Sequence, residues 1–204
     1  MAGPFCILDV DGYAAVARMP QSSLVTYDRN TRTFRDGYRP RELAVAYSDG
    51  TCEVVYFYDS RKLPRLSSSD PGVRYVYRKV NGLPMNPGPN AYGCHRVRQS
   101  HMLLAEIARI ISYMPDGAII YHKGGNEGLW AREALAAVHR TKITVKNLED
   151  LGFPQVRRIY LSAEELGEIP LCGHHRGLKV QNRHHCPLYE VCAFRSLLKN
   201  RGNI

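Results

Sequence analysis

Phe5-Cys6-Ile7-Leu8-Asp9-Val10-Asp11 is the stretch from which the fold is read. Phe5–Val10 is a short apolar run ending in acids, which suits a buried strand. Successive side chains of an extended chain point to opposite faces, so Asp9 and Asp11 share one face. A core strand that ends on two carboxylates sets the question for the remaining chain: which other elements bring chemistry to that spot.

Working outward, Arg18–Arg39 is polar, with scattered Pro, Asn, Asp and Gly, and reads as a long loop. Glu42–Tyr47 and Glu53–Tyr58 are β-prone runs around Ser48-Asp49-Gly50-Thr51, and Asp-Gly between such runs signals a hairpin. Pro64–Pro71 reads as a loop, Val73–Val80 as a strand, and Asn81–Gly93 as an irregular excursion. Leu103, Leu104, Ile107, Ile110, Ile111 and Met114 then fall on one stripe of a helix from about Arg98 to Tyr113. Gly117–His122 is a strand by composition, Glu127–His139 a helix and Ile143–Val145 a short strand. Asn147–Leu151 makes one helical turn, Ser162 with Glu165 has the form of a capping box, and a last helix runs from Pro187 to about Lys199. A hairpin run followed by alternating helices and strands implies a mixed sheet flanked by helices. The 204 residues fit a single α/β domain, 1–204, with loop insertions near 18–40 and 81–97.

No stretch approaches the roughly 18 apolar residues of a membrane span, and Met1–Asp11 lacks the basic start of a signal peptide. The expectation is a soluble intracellular protein, cytoplasmic or nuclear, with no membrane partner. Its six cysteines are then thiols or metal ligands rather than disulfides. Lys and Arg outnumber acids 28 to 19, and the net charge of +9 favours an anionic partner such as nucleic acid. Arg32, Arg35 and Arg39 lie among Tyr27, Phe34 and Tyr38, so bases could stack there while guanidinium groups hold phosphates. A solvated loop on a basic protein explains the same residues.

Further acids sit where a nuclease would need them. Nucleases that use two metal ions gather carboxylates around cations about 4 Å apart, to activate water and stabilise the leaving oxygen. The strand Gly117–His122 delivers Glu127 to the start of the next helix, and the last helix carries Glu190 one turn in. His185, just before that helix, can act as the base that deprotonates water. Each acid taken singly reads equally as a solvated surface charge. A second cluster overlaps this one. Cys172 and His175 have the Cys-x2-His spacing with which one turn presents two ligands to tetrahedral zinc, and Cys186 offers a third. The alternative there is a buried cysteine beside a basic histidine patch.

These motifs resemble the DEDDh exonuclease family, which has a ribonuclease-H-like fold. Its Asp-x-Glu motif is matched by Asp9-Val10-Asp11, and its His-Asn-x-x-Phe-Asp by His122-Lys123-Gly124-Gly125-Asn126-Glu127. The third motif, His then four residues then Asp, is matched by His185-Cys186-Pro187-Leu188-Tyr189-Glu190. Three acids differ in length from the family's: Asp stands for Glu at Asp11, and Glu for Asp at Glu127 and Glu190. One methylene moves a carboxylate by about 1.5 Å, and misplacements near 1 Å can cost about a hundredfold in rate. A further family acid has no clear match, with Glu149 and Asp150 the nearest. Within that superfamily the chain is similar to the Maelstrom domain, which carries a Glu-Cys-His-Cys zinc site. The similarity rests on Cys172, His175, Cys186-Pro187-Leu188-Tyr189-Glu190-Val191, and the strand Glu42-Leu43-Ala44-Val45-Ala46. It implies Glu42 as the fourth ligand, a closed structural zinc, and a setting in small-RNA-guided transposon silencing with partners from that pathway.

The resulting expectation is a nuclease for single-stranded RNA, or DNA. It would hold magnesium or manganese on Asp9, Asp11, Glu127 and Glu190, with His185 as base and His122 and Lys123 beside the nucleic acid. The competing expectation is a catalytically inert, zinc-pinned scaffold for RNA or protein binding. A zinc hydrolase using the histidines directly fits less well, because a Cys-rich ligand set suits a closed site.

Overall fold

Alternation along β1 (Phe5–Ala14) sorts the core into two layers. Cys6, Leu8 and Val10 pack on one face of the sheet, Phe5 and Ile7 on the other. The structure is a computed structural model that describes residues 3–14, 27–28, 33–34, 38–59, 65–67, 69–80, 82–92, 96–155, 158–159, 162–175 and 185–200. β1 pairs antiparallel with β4 (Tyr38–Tyr47), which pairs antiparallel with β5 (Cys52–Tyr58). Beyond β5 lies β6 (Val97–Gln99), parallel to it. On the other side, β7 (Ile119–His122) runs parallel to β1, and β8 (Thr144–Asn147) parallel to β7. The six-stranded mixed sheet has the order β6-β5-β4-β1-β7-β8. Two short strands, β2 (Tyr27–Asp28) and β3 (Thr33–Phe34), form a separate ribbon.

Helices cover both faces, as the alternation of elements implied. The apolar stripe of α2 (Leu103–Ser112) buries Leu103, Ile107, Ile110 and Ile111 with Trp130 and Ala134 of α3 (Glu127–Ala137), against Leu8, Val45 and Phe57. The opposite face is covered by α5 (Pro187–Asn200), whose Leu188, Val191, Phe194 and Leu198 meet Phe5, Ile7, Ala44 and Tyr56. The hairpin turn between β4 and β5 falls where Asp-Gly signalled it. Asp49 Oδ1 accepts from the Thr51 N–H and hydroxyl at 2.8 and 2.7 Å, and Gly50 takes φ 101°. The capping box of α4 (Ala163–Glu168) is present in both halves, between Ser162 and Glu165.

The structure differs from the sequence reading in several places, among them the ribbon of β2 and β3 inside the segment read as a long loop. Val73–Val80 is not a strand: α1 (Pro71–Tyr75) is followed by a π-helical turn, Val76–Val80. Asp70 caps it by accepting from Gly72 N and Val73 N, with Pro71 in the first turn. Val73 and Val76, three apart, pack on Tyr13, Leu66 and Leu83, so the operative spacing is helical despite the β-branched residues. The third strand of the hairpin side is instead Val97–Gln99, within the start assigned to a helix; α2 opens after a 3₁₀ turn, Ser100–Met102. Finally, β4 begins at Tyr38, inside the segment read as a loop.

That early start matters because β4 carries a bulge beside the acids. Asp11 pairs with Glu42 and Gly12 with Pro40, so Arg41 is left over between them. A Cβ at Gly12 would clash with the Arg39 carbonyl, which explains the glycine. Arg41, 0% exposed, is re-aimed into a fork on Asp59, Nη1 to Oδ1 at 3.0 Å and Nη2 to Oδ2 at 2.7 Å. It also donates to the carbonyls of Pro84 and Met85, tying the 82–92 excursion to the sheet. Arg39 Nη1 meets the same Asp59 at 2.9 Å. Burial alone would raise the Asp59 carboxyl, but Arg41 and then Arg39 hold it below the usual range.

Replacing Asp59 with Asn leaves a fully buried guanidinium without its counter-charge. The expected cost is about 3–5 kcal/mol, read from urea denaturation. A loss below roughly 1 kcal/mol would show that the Pro84 and Met85 carbonyls hold Arg41 on their own.

Candidate metal centre and acidic site

The register of β1 on β4 puts Asp9, Asp11 and Glu42 on the face that α5 covers, with Asp11 directly opposite Glu42. Cys172, His175 and Cys186 converge on Glu42. One ligand atom from each of the four lies within 4.8 Å of all the others, and every one of the residues is buried. The thiol of Cys172 is 2.8 Å from His175 Nδ1 and 3.4 Å from Glu42 Oε2. The N–H groups of Cys172 and His175 point at Sγ of Cys186 and Cys172, at 3.5 and 3.3 Å, as amides that support thiolates do.

This donor set fits a metal ion. Glu42 is 0% exposed, and its Oε1 has no hydrogen-bond partner. Burial, then the charge and hydrogen bond of Cys172, push its carboxyl well above the usual range. A carboxylate, two thiolates and an imidazole in so dry a place need a cation to be charged together. Three of the residues are those the Cys-x2-His spacing and Cys186 named, and the fourth, Glu42 of β4, is the one the family resemblance implied.

The second cluster gathers around Asp9 and Asp11. Asp9 and Asp11 act electrostatically on Glu127 and on Glu190, so acids from β1, α3 and α5 are neighbours. Burial pushes Asp9 up to about 6. Burial and then the charge of Asp9 push Asp11 well above the carboxylate range. Glu127 and Glu190 are raised by burial first and by Asp9 and Asp11 after it. Glu127 Oε2 is buried without a hydrogen-bond partner. Glu127 and Glu190 each sit in the first turn of a helix, where the positive end of the backbone dipole favours negative charge. The acids are spaced more loosely than the Glu-Cys-His-Cys group: among the described residues, that group is the one drawn within 4.8 Å.

The other expected residues fall in different places. His185 directly precedes the ligand Cys186, half-buried at the start of α5. His122 is 5% exposed, its Nδ1 3.1 Å from the Gly124 carbonyl, and burial lowers its pKa. Nε2 of the same ring is buried without a hydrogen-bond partner. Lys123 Nζ donates to the Pro154 carbonyl at 2.6 Å over the Phe194 ring, and faces Glu190. The guanidinium of Arg39 is 9% exposed and held by Asp59. Arg32 and Arg35 lie outside the described residues. One neighbour of the acids had no signal in the sequence. Tyr38, donating to the Val10 carbonyl at 3.2 Å, is raised by burial first and then by Asp11, Glu127 and Asp9.

No family model matches the chain, and no curated protein matches it. Among solved structures it is similar to a variant of Escherichia coli aminopeptidase P in complex with substrate, at 16% identity and TM-score 0.36. That likeness covers 83% of this chain and 38% of the other. It is similar also to the family B DNA polymerase of the hyperthermophilic archaeon Pyrobaculum calidifontis, at 13% identity and TM-score 0.33, covering 98% of this chain and 23% of the polymerase. The chain thus spans well under half of either protein, and likenesses this weak identify neither fold nor function. Among the described residues no helix is long and apolar enough to cross a membrane.

Purified protein is expected to carry about one tightly held divalent ion per chain, because binding free energy at such a site is folding free energy. Cys186→Ser should lose the ion and the native fold together. Metal analysis that finds well-folded protein with no ion would remove the site.

The acids make a separate prediction about pH. A carboxyl raised from about 4 to about 6 binds more protons folded than unfolded between those values. The stability that Asp9 contributes is therefore complete below about pH 4 and lost as pH rises through about 6. Added magnesium or manganese should raise Tm at neutral pH, and much less at pH 5. Asp9→Asn should raise Tm without added ions and remove most of their effect. A Tm indifferent to both would mean that the acids do not repel one another.

Proposed function

We propose that this chain is a metal-dependent nuclease acting on single-stranded RNA, built on a ribonuclease-H-like sheet of the DEDDh type and pinned by structural zinc. The single observation that carries the reading is the group of neighbouring acids drawn from three elements: Asp9 and Asp11 from β1, Glu127 from α3 and Glu190 from α5, which raise one another's carboxyls although Lys123 faces Glu190. Such a concentration of buried carboxyls calls for protons or for divalent cations. Magnesium or manganese held there would polarise a phosphodiester and a water. Asp9 and Asp11 would bind the ions, with Glu127 and Glu190 completing the site, and His185 would take the proton from the attacking water. Zinc at Glu42, Cys172, His175 and Cys186 suits the thiolate and imidazole donors, and four protein ligands leave no open position for chemistry. The basic net charge favours a polyanion, and Arg32 and Arg35 remain the expected contacts for its phosphates. The Maelstrom resemblance adds small-RNA-guided transposon silencing as the setting.

A second reading, an inert scaffold on the same fold, is favoured by one observation. The acids do not close to the spacing of the Glu-Cys-His-Cys group, and three of them have altered length. One assay separates the two: labelled single strands incubated with magnesium, manganese or no divalent ion. Asp9→Asn should abolish cleavage while zinc content and RNA affinity hold, and His185→Ala should slow it by roughly 10²–10⁴-fold. Zinc must be measured in the His185 variant, whose neighbour is a ligand. Wild type that binds RNA but cleaves no strand with either ion would leave the scaffold.

A further inference from the structure

Away from both clusters, Cys52 of β5 and Cys192 of α5 bring their sulfurs to 3.3 Å across a sequence separation of 140 residues. Cys52 is half-buried and Cys192 is 1% exposed. Arg195, one turn along α5, places Nη1 3.2 Å from the Cys52 sulfur and Nη2 3.9 Å from that of Cys192. The same guanidinium donates to the Gly50 and Thr51 carbonyls at 2.7 and 3.1 Å, so the hairpin turn holds it over the sulfur pair.

We propose that Cys52 and Cys192 are a thiol pair that a hydroperoxide converts to a reversible disulfide between β5 and α5. The argument is geometric first. A disulfide needs sulfurs about 2.0 Å apart, and two thiols already in contact reach that distance by a modest side-chain rotation. The two cysteines are also unequal, as an attacking and a resolving thiol should be. The hydrogen bond from Cys192 lowers Cys52 to about 6; burial opposes this, and the Arg195 charge adds to it. Cys6 is an internal contrast: burial pushes it up to about 12, and its sulfur meets the thioether of Met114 at 3.6 Å.

In the first step the Cys52 thiolate attacks one peroxide oxygen, the O–O bond breaks, and hydroxide leaves and takes up a proton. Cys52 is then a sulfenic acid. The Cys192 sulfur attacks it, giving up its proton as the S–O bond breaks, and a second water leaves. Two thiols lose two electrons in total, and one hydrogen peroxide becomes two waters. Dithiol reductants reverse the change.

The experiment uses the full chain with a small excess of hydrogen peroxide, peptide mapping under non-reducing conditions, and metal analysis of the same samples. The expected result is a Cys52–Cys192 peptide, short of the mass of two hydrogens, that forms before any metal is released and disappears with dithiothreitol. Cys192→Ser should keep Cys52 reactive toward iodoacetamide with a midpoint near 6, yet form no link. Cys192→Ala should raise that midpoint and slow neutral alkylation by about tenfold, as expected for a thiol returning to its ordinary value near 8.5. A wild-type protein whose Cys52 is over-oxidised without a link would overturn the proposal. So would a first link that runs through Cys6, Cys172 or Cys186.

Discussion

In the pairing of β1 with β4, Asp11 stands opposite Glu42, and both face α5. Like charges directly across an antiparallel pair destabilise a sheet, and here they are also shielded from water. The register cannot slip to relieve this, since one step would turn Leu8, Val10, Leu43 and Val45 out of the other layer. The bulge at Arg41 fixes the register further, because the guanidinium it frees is locked on Asp59. Everything chemical in the molecule follows from acids held in place by a hydrophobic layer behind them.

The two ends of that acidic strip solve the same problem differently. At Glu42 the chain supplies thiols and an imidazole within 4.8 Å, a complete shell with no room for substrate. At Asp9 it supplies only more carboxyls, from the first turns of α3 and α5, whose dipoles offset part of the charge. An ion in the closed site would hold α5 to β4. An open site keeps carboxyl oxygens, such as Glu127 Oε2, without a protein partner.

Much of this was legible because it depends on period and spacing. The alternation of Phe5–Val10 placed both aspartates on one face, Asp49-Gly50 marked the hairpin, and the stripe from Leu103 to Met114 marked α2. The metal group was legible from Cys-x2-His and Cys186, although Glu42 came only through a family resemblance. What was hidden depends on tertiary partners. Val73–Val80 has strand-like composition, yet the Asp70 cap and the contact with Tyr13 decide for a helix. Arg39 and His122 look like ligands for phosphate in sequence, and only the folded chain reveals Asp59 and the interior around them. Tyr38 sat in a polar run with nothing to mark it as the acids' neighbour.

The last helix is where these threads join. Cys186 stands at its start, Glu190 in its first turn, and Cys192 and Arg195 further along, while Leu188, Val191, Phe194 and Leu198 seat it on the sheet. A helix of 14 residues is too rigid for its first turn to move without the rest. An ion at Cys186 would therefore set where Glu190 stands relative to Asp9, and the contact of Cys192 with Cys52 fixes the same helix against β5 on the far side of β4. Removing the ion should thus disturb the acidic site even though none of Asp9, Asp11 or Glu127 touches it. Glu190 is positioned by α5, and an ion at Cys186 would fix where α5 begins.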